Sequence, residues 1–534
     1  MSRSARIGAG LLLGLAAGYL LWPMPKSERW AIASDPALLA GKTAYLQQLA
    51  DEHQQSSEGS PPPNVLLIVA DDLARHDLSY QGGRLKTPNI DQLAAQSHTF
   101  TSAYANAAIC APSRAALLTG RVQNRFGFES QPMQRYVRNR GEFLGFRYLI
   151  DTDEMRPFLL DSYPSAEQMA NQGLPASEIT LAEVFKAQGY RTGIFGKWHL
   201  GYAADNGPAQ FGFDTAYGFR EAFTLFAPED DPEIVAHHHD LFWEEHIWSM
   251  GRSGPSAIIR DGQPVDEKRY LTDAIAAETS AFIRDAANAG EPFFAYVPFS
   301  APHTPFQARR EDYEAITETR DHNERVYLAM IRRLDHAVGE LVNTLQAENV
   351  LDNTLIIFTS DNGGAAYTEA TDNGPLRGGK FTQFEGGLAV PLIVHEPGQT
   401  SQRQVAEPVW LTDLFATLLE ASGAPLPDDR AYDSVSLTAS PIPARPRFWR
   451  SDFNLAIRSG DWKLIVNRRE NTVLLFNLAE DPAEARDLSA QEPEKVAELQ
   501  QQLTTWETAL APAKWPRVMD YRFDDATGSY WFAI

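Results

Sequence analysis

Cysteine is nearly absent: the 534 residues contain one, Cys110. A lone thiol excludes an intrachain disulfide framework, so reactivity rather than stapling is the expected reason for keeping it. Basic residues are also scarce, with 47 Lys and Arg against 70 Asp and Glu and a net charge of −23. That balance excludes a general nucleic-acid binder. It does not exclude a small anionic substrate, because screening over roughly 10 Å at moderate salt leaves a local basic pocket in control of the field the substrate meets. Internal repeats and low-complexity tracts are missing as well. The apolar share, 43%, is ordinary for a globular protein and too high for a disordered one.

What is present starts with an apolar run, Ile7 to Trp22, behind Arg3 and Arg6. A basic start followed by such a run reads as a secretory signal or an uncleaved anchor. The expectation is an exported protein, periplasmic or secreted, with a tether to the inner membrane as the alternative to cleavage near Ala31-Ile32-Ala33. Ser34-Asp35-Pro36 marks a helix start, with the helix running to about Gln54, and Ser56 to Pro63 is a linker by composition. The expected organisation is an export segment over 1–33, a helix and linker over 34–63, a catalytic domain over 64–440 and a C-terminal unit over 441–534.

Short continuous apolar runs at Asn64 to Ala70, Arg191 to Phe195, Phe293 to Val297, Thr354 to Thr359 and Leu392 to His395 have the pattern of strands buried on both faces. Helical stretches such as Leu181 to Gln188 and Glu324 to Gln346 lie between them. The alternation predicts an α/β fold, a large mixed and mostly parallel sheet sandwiched by helices. After the proline-rich stretch Thr438 to Arg447 come strand-like pieces at Leu455 to Ile457, Trp462 to Val466 and Thr472 to Asn477, then a helix near Pro493 to Leu510. These predict a smaller C-terminal α+β subdomain with an antiparallel sheet.

In an open parallel sheet, ligands bind beyond the carboxyl ends of the strands. Asp71 and Asp72 follow directly on the first strand, and Asp361 and Asn362 follow on Leu355 to Ser360. Three carboxylates and an amide oxygen make a hard oxygen set suited to Ca2+, or to Mg2+. Cys110 opens what reads as a helix, with Pro112 in its first turn and Gly120 just past its end, and a helix N-terminus favours an anion beside it. A thiolate is too soft for an oxygen set of this kind.

The run Cys110-Ala111-Pro112-Ser113-Arg114, continued by Leu118-Thr119-Gly120-Arg121, resembles the signature of the formylglycine-dependent sulfatases, type I enzymes of the alkaline phosphatase-like superfamily. Gly196-Lys197-Trp198-His199, Pro302-His303-Thr304-Pro305, and Leu376-Arg377-Gly378-Gly379-Lys380 with Glu385-Gly386-Gly387 resemble further motifs of that family, in its order. Phe211-Gly212-Phe213-Asp214, Tyr367 and Asp433-Ser434-Val435-Ser436-Leu437 add lesser agreement, and Asp461-Trp462-Lys463 resembles a marker of the family's C-terminal subdomain. The resemblance spans about Asn64 to Leu488.

It implies an alkaline phosphatase-like fold and hydrolysis of a sulfate ester. It implies that a formylglycine-generating enzyme converts Cys110 to 3-oxoalanine (formylglycine), whose hydrate offers the hard oxygen that the metal set asks for. Asp71, Asp72, residue 110, Asp361 and Asn362 would hold the metal, and Arg114 would anchor the nucleophile. Lys197 and Lys380 would neutralise the sulfuryl oxygens. His303, with Lys380, would protonate the leaving alcohol, Asp361 would take the nucleophile's proton, and His199 would deprotonate the second hydroxyl.

The chain departs from the family at Ala389, where arginine is frequent, and at Ala74 and Ser434, where glycine is usual. None of the three carries an assigned role. His237-His238-His239 lies in an acidic, aromatic-rich stretch, Pro228 to Trp248, and reads as a surface loop or a substrate-facing insertion rather than a second metal site. Aromatic residues in such insertions point to a sulfated sugar as substrate. Two rivals remain: a phosphonate or phosphate monoester hydrolase on the same scaffold, and a non-catalytic binder of sulfated glycans.

Overall fold

The structure, a computed structural model, describes residues 17–32, 34–55, 62–203, 206–240, 242–439 and 441–534. Most of the apolar run Ile7 to Trp22 and most of the expected linker, Ser56 to Pro63, therefore lie outside the described residues. Among the described residues no helix is long and apolar enough to cross a membrane. The helix expected from Ser34-Asp35-Pro36 runs Pro36–Gln55, and its first turn is capped by Asp35, whose carboxylate accepts the N–H groups of Ala37 and Leu38.

Ten strands build the main sheet: β1 (Asn64–Ala70), β2 (His98–Phe100), β3 (Arg191–Lys197), β4 (Thr215–Phe219), β5 (Ile259–Arg260), β6 (Gln263–Pro264), β7 (Phe293–Pro298), β8 (Thr354–Ser360), β9 (Leu392–His395) and β10 (Arg403–Val405). Their spatial order is β10-β2-β9-β8-β1-β7-β3-β4-β5-β6. The centre, β8-β1-β7-β3-β4, is parallel throughout. Beyond it β9 runs antiparallel to both β8 and β2, and β5 and β6 close the other edge antiparallel. The sheet is thus mixed and mostly parallel, with the antiparallel pairings toward its edges.

Strand β1 shows why its sequence reads as one apolar run. Leu66, Ile68 and Ala70 face a core shared with the helices Leu271–Ala289 and His322–Ala347. Val65, Leu67 and Val69 face the opposite core, shared with the helices Cys110–Thr119, Leu181–Ala187 and Asp413–Ser422. Side chains alternate across a strand, so covering both faces demands apolar residues at every position.

The C-terminal region holds a four-stranded antiparallel sheet, Arg447–Ser451, Asn454–Ser459, Trp462–Asn467 and Thr472–Asn477, followed by the helix Pro493–Glu507. Sequence reading finds the last three strands and the helix but not the first strand, which begins inside the proline-rich stretch. It also misses the final hairpin, Met519–Asp525 with Gly528–Ala533, which pairs with Met155–Pro157. A third core cluster joins the four-stranded sheet, through Ile457 and Phe476, to Phe381, Phe384 and Leu388. The C-terminal region is thereby packed against the segment that carries Lys380.

Asp77 is half-buried beside the helix His322–Ala347, its carboxylate accepting hydrogen bonds from Tyr327 Oη at 2.5 Å and from Thr371 Oγ1 at 3.2 Å. Burial dominates those bonds and raises its pKa from 3.8 to about 6. The folded state then keeps a proton that the unfolded chain has already released, so this group's contribution to stability is present below the unfolded pKa and lost as pH rises through the folded one. An Asp77→Asn chain is expected to gain stability relative to the parent between about pH 4 and pH 7, by up to about 3 kcal/mol. The check is the Tm difference between the two chains across that range, and a difference that does not change with pH removes the assignment.

Candidate active site

Four parallel strands deliver their functional side chains to one edge of the sheet. Asp71 and Asp72 follow β1, Asp361 and Asn362 follow β8, Lys197 ends β3 with His199 two residues on, and His303 lies beyond β7. Backbone bonds lash the strand ends together: Asp361 N–H donates to the Ala70 carbonyl at 3.1 Å and Asp71 N–H to the Ala301 carbonyl at 3.1 Å. Asp72 and His199 have φ of 61° and 56°, a left-handed conformation that non-glycine residues adopt at a cost and that clusters at functional sites.

Cys110 and Arg114 arrive on the helix Cys110–Thr119, which is buried at every residue and ends at Gly120 with φ of 68°. The last predicted side chain, Lys380, comes from a loop whose backbone is pressed against the Asp361 loop. A Cβ on Gly363 would lie 1.8 Å from the Gly386 carbonyl oxygen, so only glycine permits that approach. The C-terminal sheet holds the same loop from behind. Lys463, fully buried, places its Nζ 2.8 Å from Glu385 and 2.9 Å from Glu484, and Glu484 accepts the Glu385 backbone N–H at 2.6 Å. Glu385 and Lys463 fall in motifs the sequence shows, but nothing local marks them as partners, and Glu484 carries no sequence signal at all.

All of the predicted site residues converge. Arg114 donates from Nε to Asp361 at 2.7 Å and from Nη1 to the Lys197 carbonyl at 3.2 Å, and its Nη2 lies 3.4 Å from Asp71. Lys197 Nζ lies 2.8 Å from Asp71, and Lys380 Nζ 2.8 Å from Asp72. His303 Nε2 is 3.5 Å from Asp72, while its Nδ1–H donates to the Thr304 carbonyl at 2.6 Å. His199 is fully buried, and neither ring nitrogen has a hydrogen-bond partner.

Opposite charges set the protonation states. Lys197 counters the burial that would raise Asp71, Lys380 does the same for Asp72, and both carboxyls lie below their ordinary value. Burial in turn would lower Arg114 and Lys380, but the facing carboxylates Asp361 and Asp72 hold both above their ordinary values. Burial pushes the imidazoles of His199 and His303 down, with Lys197 adding to the effect at His199 and Lys380 at His303. It pushes the Cys110 thiol well up. Burial thus favours the neutral form of the Cys110 thiol, the weaker form both as a nucleophile and as a metal ligand.

The residues fit a hard divalent ion. Asp71, Asp72, Cys110 and His303 bring one ligand atom each within 4.8 Å of one another, all buried. Asn362 Nδ2 donates to Asp72 at 2.7 Å, and Asn362 Oδ1, like Asp71 Oδ1, is buried without a hydrogen-bond partner. Buried oxygens are normally satisfied, so the unpartnered Asn362 Oδ1 beside Asp71 and Asp72 fits a role as a cation ligand. Asp71, Asp72 and Asp361 balance Arg114, Lys197 and Lys380 charge for charge. A divalent ion would leave the nest positive, which suits an anionic ester.

A parallel-sheet edge carrying this nest, with a helix N-terminus at residue 110, defines an enzyme acting on anionic esters. The Sulfatase family model matches residues 63–424. The N-acetylgalactosamine-6-sulfatase of Mus musculus is 33% identical over 422 residues, covering 76% of this chain and 72% of that one. A protein described as a sulfatase from Formosa agariphila is 28% identical and covers 84% of this chain and 88% of that one. The crystal structure of Ps i-CgsB in complex with k-i-k-neocarrahexaose superposes with a TM-score of 0.71 at 28% identity, covering 88% of this chain and 96% of that one. The chain belongs to the sulfatase family and is a sulfuric ester hydrolase.

Proposed function

We propose that this enzyme hydrolyses sulfate esters with formylglycine made from Cys110 and with Ca2+ or Mg2+ held by Asp71, Asp72, Asp361, Asn362 and residue 110. The observation that carries the reading is the buried Cys110 set among Asp71, Asp72 and His303, beside the unpartnered Oδ1 of Asn362. A hydrated aldehyde would supply an attacking oxygen and, on the same carbon, a second hydroxyl through which sulfate is released. The metal would supply Lewis-acid charge beside the sulfuryl group.

The chain's own residues do the rest. Arg114, fixed by Asp361 and the Lys197 carbonyl, orients residue 110 and holds Asp361 where it accepts a proton. Lys197 and Lys380 offset negative charge on the sulfuryl oxygens. His303 keeps Nδ1–H on Thr304, so Nε2 is the atom that carries a proton to the leaving alcohol. An arriving sulfate ester brings negative charge that favours this protonation, and Lys380 is the cation beside it. His199, neutral and unpartnered, is poised as the base for the second hydroxyl.

Relatives named for sulfated sugars support a sulfated sugar ring as the group attacked, and Trp243, Tyr367 and Phe381 offer faces for it. Export, maturation by a formylglycine-generating enzyme, and the division at residues 33, 63 and 440 belong to the same proposal. The test is hydrolysis of 4-nitrophenyl sulfate against 4-nitrophenyl phosphate by the matured, metal-loaded enzyme. A larger kcat/KM for sulfate is expected, and a preference for phosphate would replace the reading with a phosphoryl hydrolase.

A further inference from the structure

His303 and Lys380 do not face open solvent. They form one wall of a cavity of about 870 Å3, within the size range of sites that enclose drug-sized ligands. Its other walls come from residues 130–163, 222–223 and 517–534, from Tyr367 and Phe381, and from 242–247 in the stretch that reads as a surface loop or a substrate-facing insertion.

Aromatic rings run unbroken from its mouth to the nest. Phe146 contacts Phe242 with centroids 5.4 Å apart, Phe242 contacts Trp243 at 4.8 Å, Trp243 contacts Tyr367 at 5.6 Å, and Tyr367 stacks on Phe381 at 5.2 Å. Phe381 adjoins Lys380, whose Nζ lies 5.4 Å from its ring.

Cations are the second observation. Among the described residues that line the cavity, the lysines and arginines are Arg135, Lys380 and Arg517. Each already has a carboxylate: Arg135 has Glu142, Lys380 has Asp72, and Arg517 has Asp452 and Asp520. With Lys380 serving the sulfate that is cleaved, the further anions of a sulfated sugar chain would meet no unpaired lysine or arginine among the described lining residues, and desolvating them there is costly.

The mouth is apolar too. Leu149 and Ile150 line it and are 87% and 47% exposed, and Leu144 and Tyr148 on the same helix, Arg140–Leu149, are exposed beside them. Contiguous exposed apolar side chains around an opening mark a binding surface for an apolar partner.

We propose that this cavity takes the alcohol part of the substrate and that the enzyme is selective for singly sulfated amphiphiles. The sulfate-bearing ring lies along Trp243, Tyr367 and Phe381, and an apolar body fills the space toward Phe146 and Leu149. The inference rests on the sulfate ester hydrolase reading and leaves its chemistry unchanged: water and ester give inorganic sulfate and the apolar alcohol.

The experiment uses the full matured, metal-loaded chain and a series of 4-alkylphenyl sulfates from methyl to hexyl. Their leaving groups have nearly the same acidity, so only the apolar body changes. The kcat/KM is expected to rise at least about tenfold from methyl to hexyl, since each buried methylene contributes about 0.8 kcal/mol. A carboxylate at the end of the chain is expected to cancel that gain, and Phe146→Glu to bring the hexyl-to-methyl ratio down toward one. A parent ratio near one overturns the proposal, as does a doubly sulfated disaccharide hydrolysed with a larger kcat/KM than the hexyl ester. No hydrolysis of any ester, methyl included, by chain whose residue 110 is converted overturns the sulfatase reading as well.

Discussion

Replacing Cys110 by serine is expected to slow sulfate ester hydrolysis by at least about 10⁴-fold in a host that does not oxidise serine, the scale seen when a nucleophile is removed from a working site. The reason is chemical rather than steric. Serine is close in size to the cysteine it replaces, so the helix Cys110–Thr119 keeps its packing, and the hydroxyl is a harder metal ligand than the thiol. It has one hydroxyl, however, where the hydrated aldehyde has two on one carbon, and it lacks the means of release. Folding should be unaltered, with a Tm close to the parent's. Intact mass supplies the complementary measurement: the active parent should carry residue 110 lighter than cysteine and silent to thiol reagents, with oxygen in place of sulfur. A serine chain that turns over at the parent rate would show that residue 110 is not the nucleophile.

His303→Gln is expected to separate substrates by their leaving groups. For a sulfate ester of an alkyl alcohol the loss in kcat/KM should be on the order of 10²–10⁴-fold, the range that a positioned general acid contributes. For 4-nitrophenyl sulfate, whose phenolate departs without a proton, the loss should be about tenfold or less. Glutamine preserves a polar group of similar reach, so the contrast isolates proton transfer from packing. A Brønsted plot over a series of phenols and alcohols makes the comparison: it should be shallow for the parent and steeper for the variant. Equal losses across the series would move the acid role from His303 to its neighbour Lys380, which lies against the same carboxylate, Asp72.

The catalytic half of the molecule was legible because of where its residues sit. Strands β1, β7 and β8 are buried on both faces, which forces uninterrupted apolar runs, and Asp71, Asp72, Asp361 and Asn362 follow β1 and β8 without a gap. The short strands His98–Phe100, Ile259–Arg260 and Gln263–Pro264, at or next to the sheet's edges, have no run long enough to notice. Leu392–His395 reads correctly as a strand, but direction is a property of pairing and its antiparallel course leaves no trace in four apolar residues. The cavity was illegible for a related reason. Its walls are drawn from segments hundreds of residues apart, and Phe146 or Met519 alone is an ordinary apolar residue on a helix or strand. Only the aromatic richness of Pro228 to Trp248 hinted at a substrate-facing role, and Phe242, Trp243 and Ile247 do line the cavity. The His triplet of that stretch has other contacts: His237 ends a strand paired with Phe306–Arg309, and His238 stacks on Trp248.

The burial of Cys110 has a consequence in time. The residue is 1% exposed, and every residue of the helix it opens is buried. A maturation enzyme of the kind proposed would have to reach the Cys110 side chain, which the finished fold buries. For the conversion proposed here, modification therefore races folding, and folding wins outright once the Lys380 loop, encoded far downstream, has docked. The active fraction of a preparation is then a ratio of two rates, fixed while the chain is young, and no stabilising mutation or later incubation with the maturation enzyme improves it. A molecule that folds first is a sound structure, permanently without its reagent.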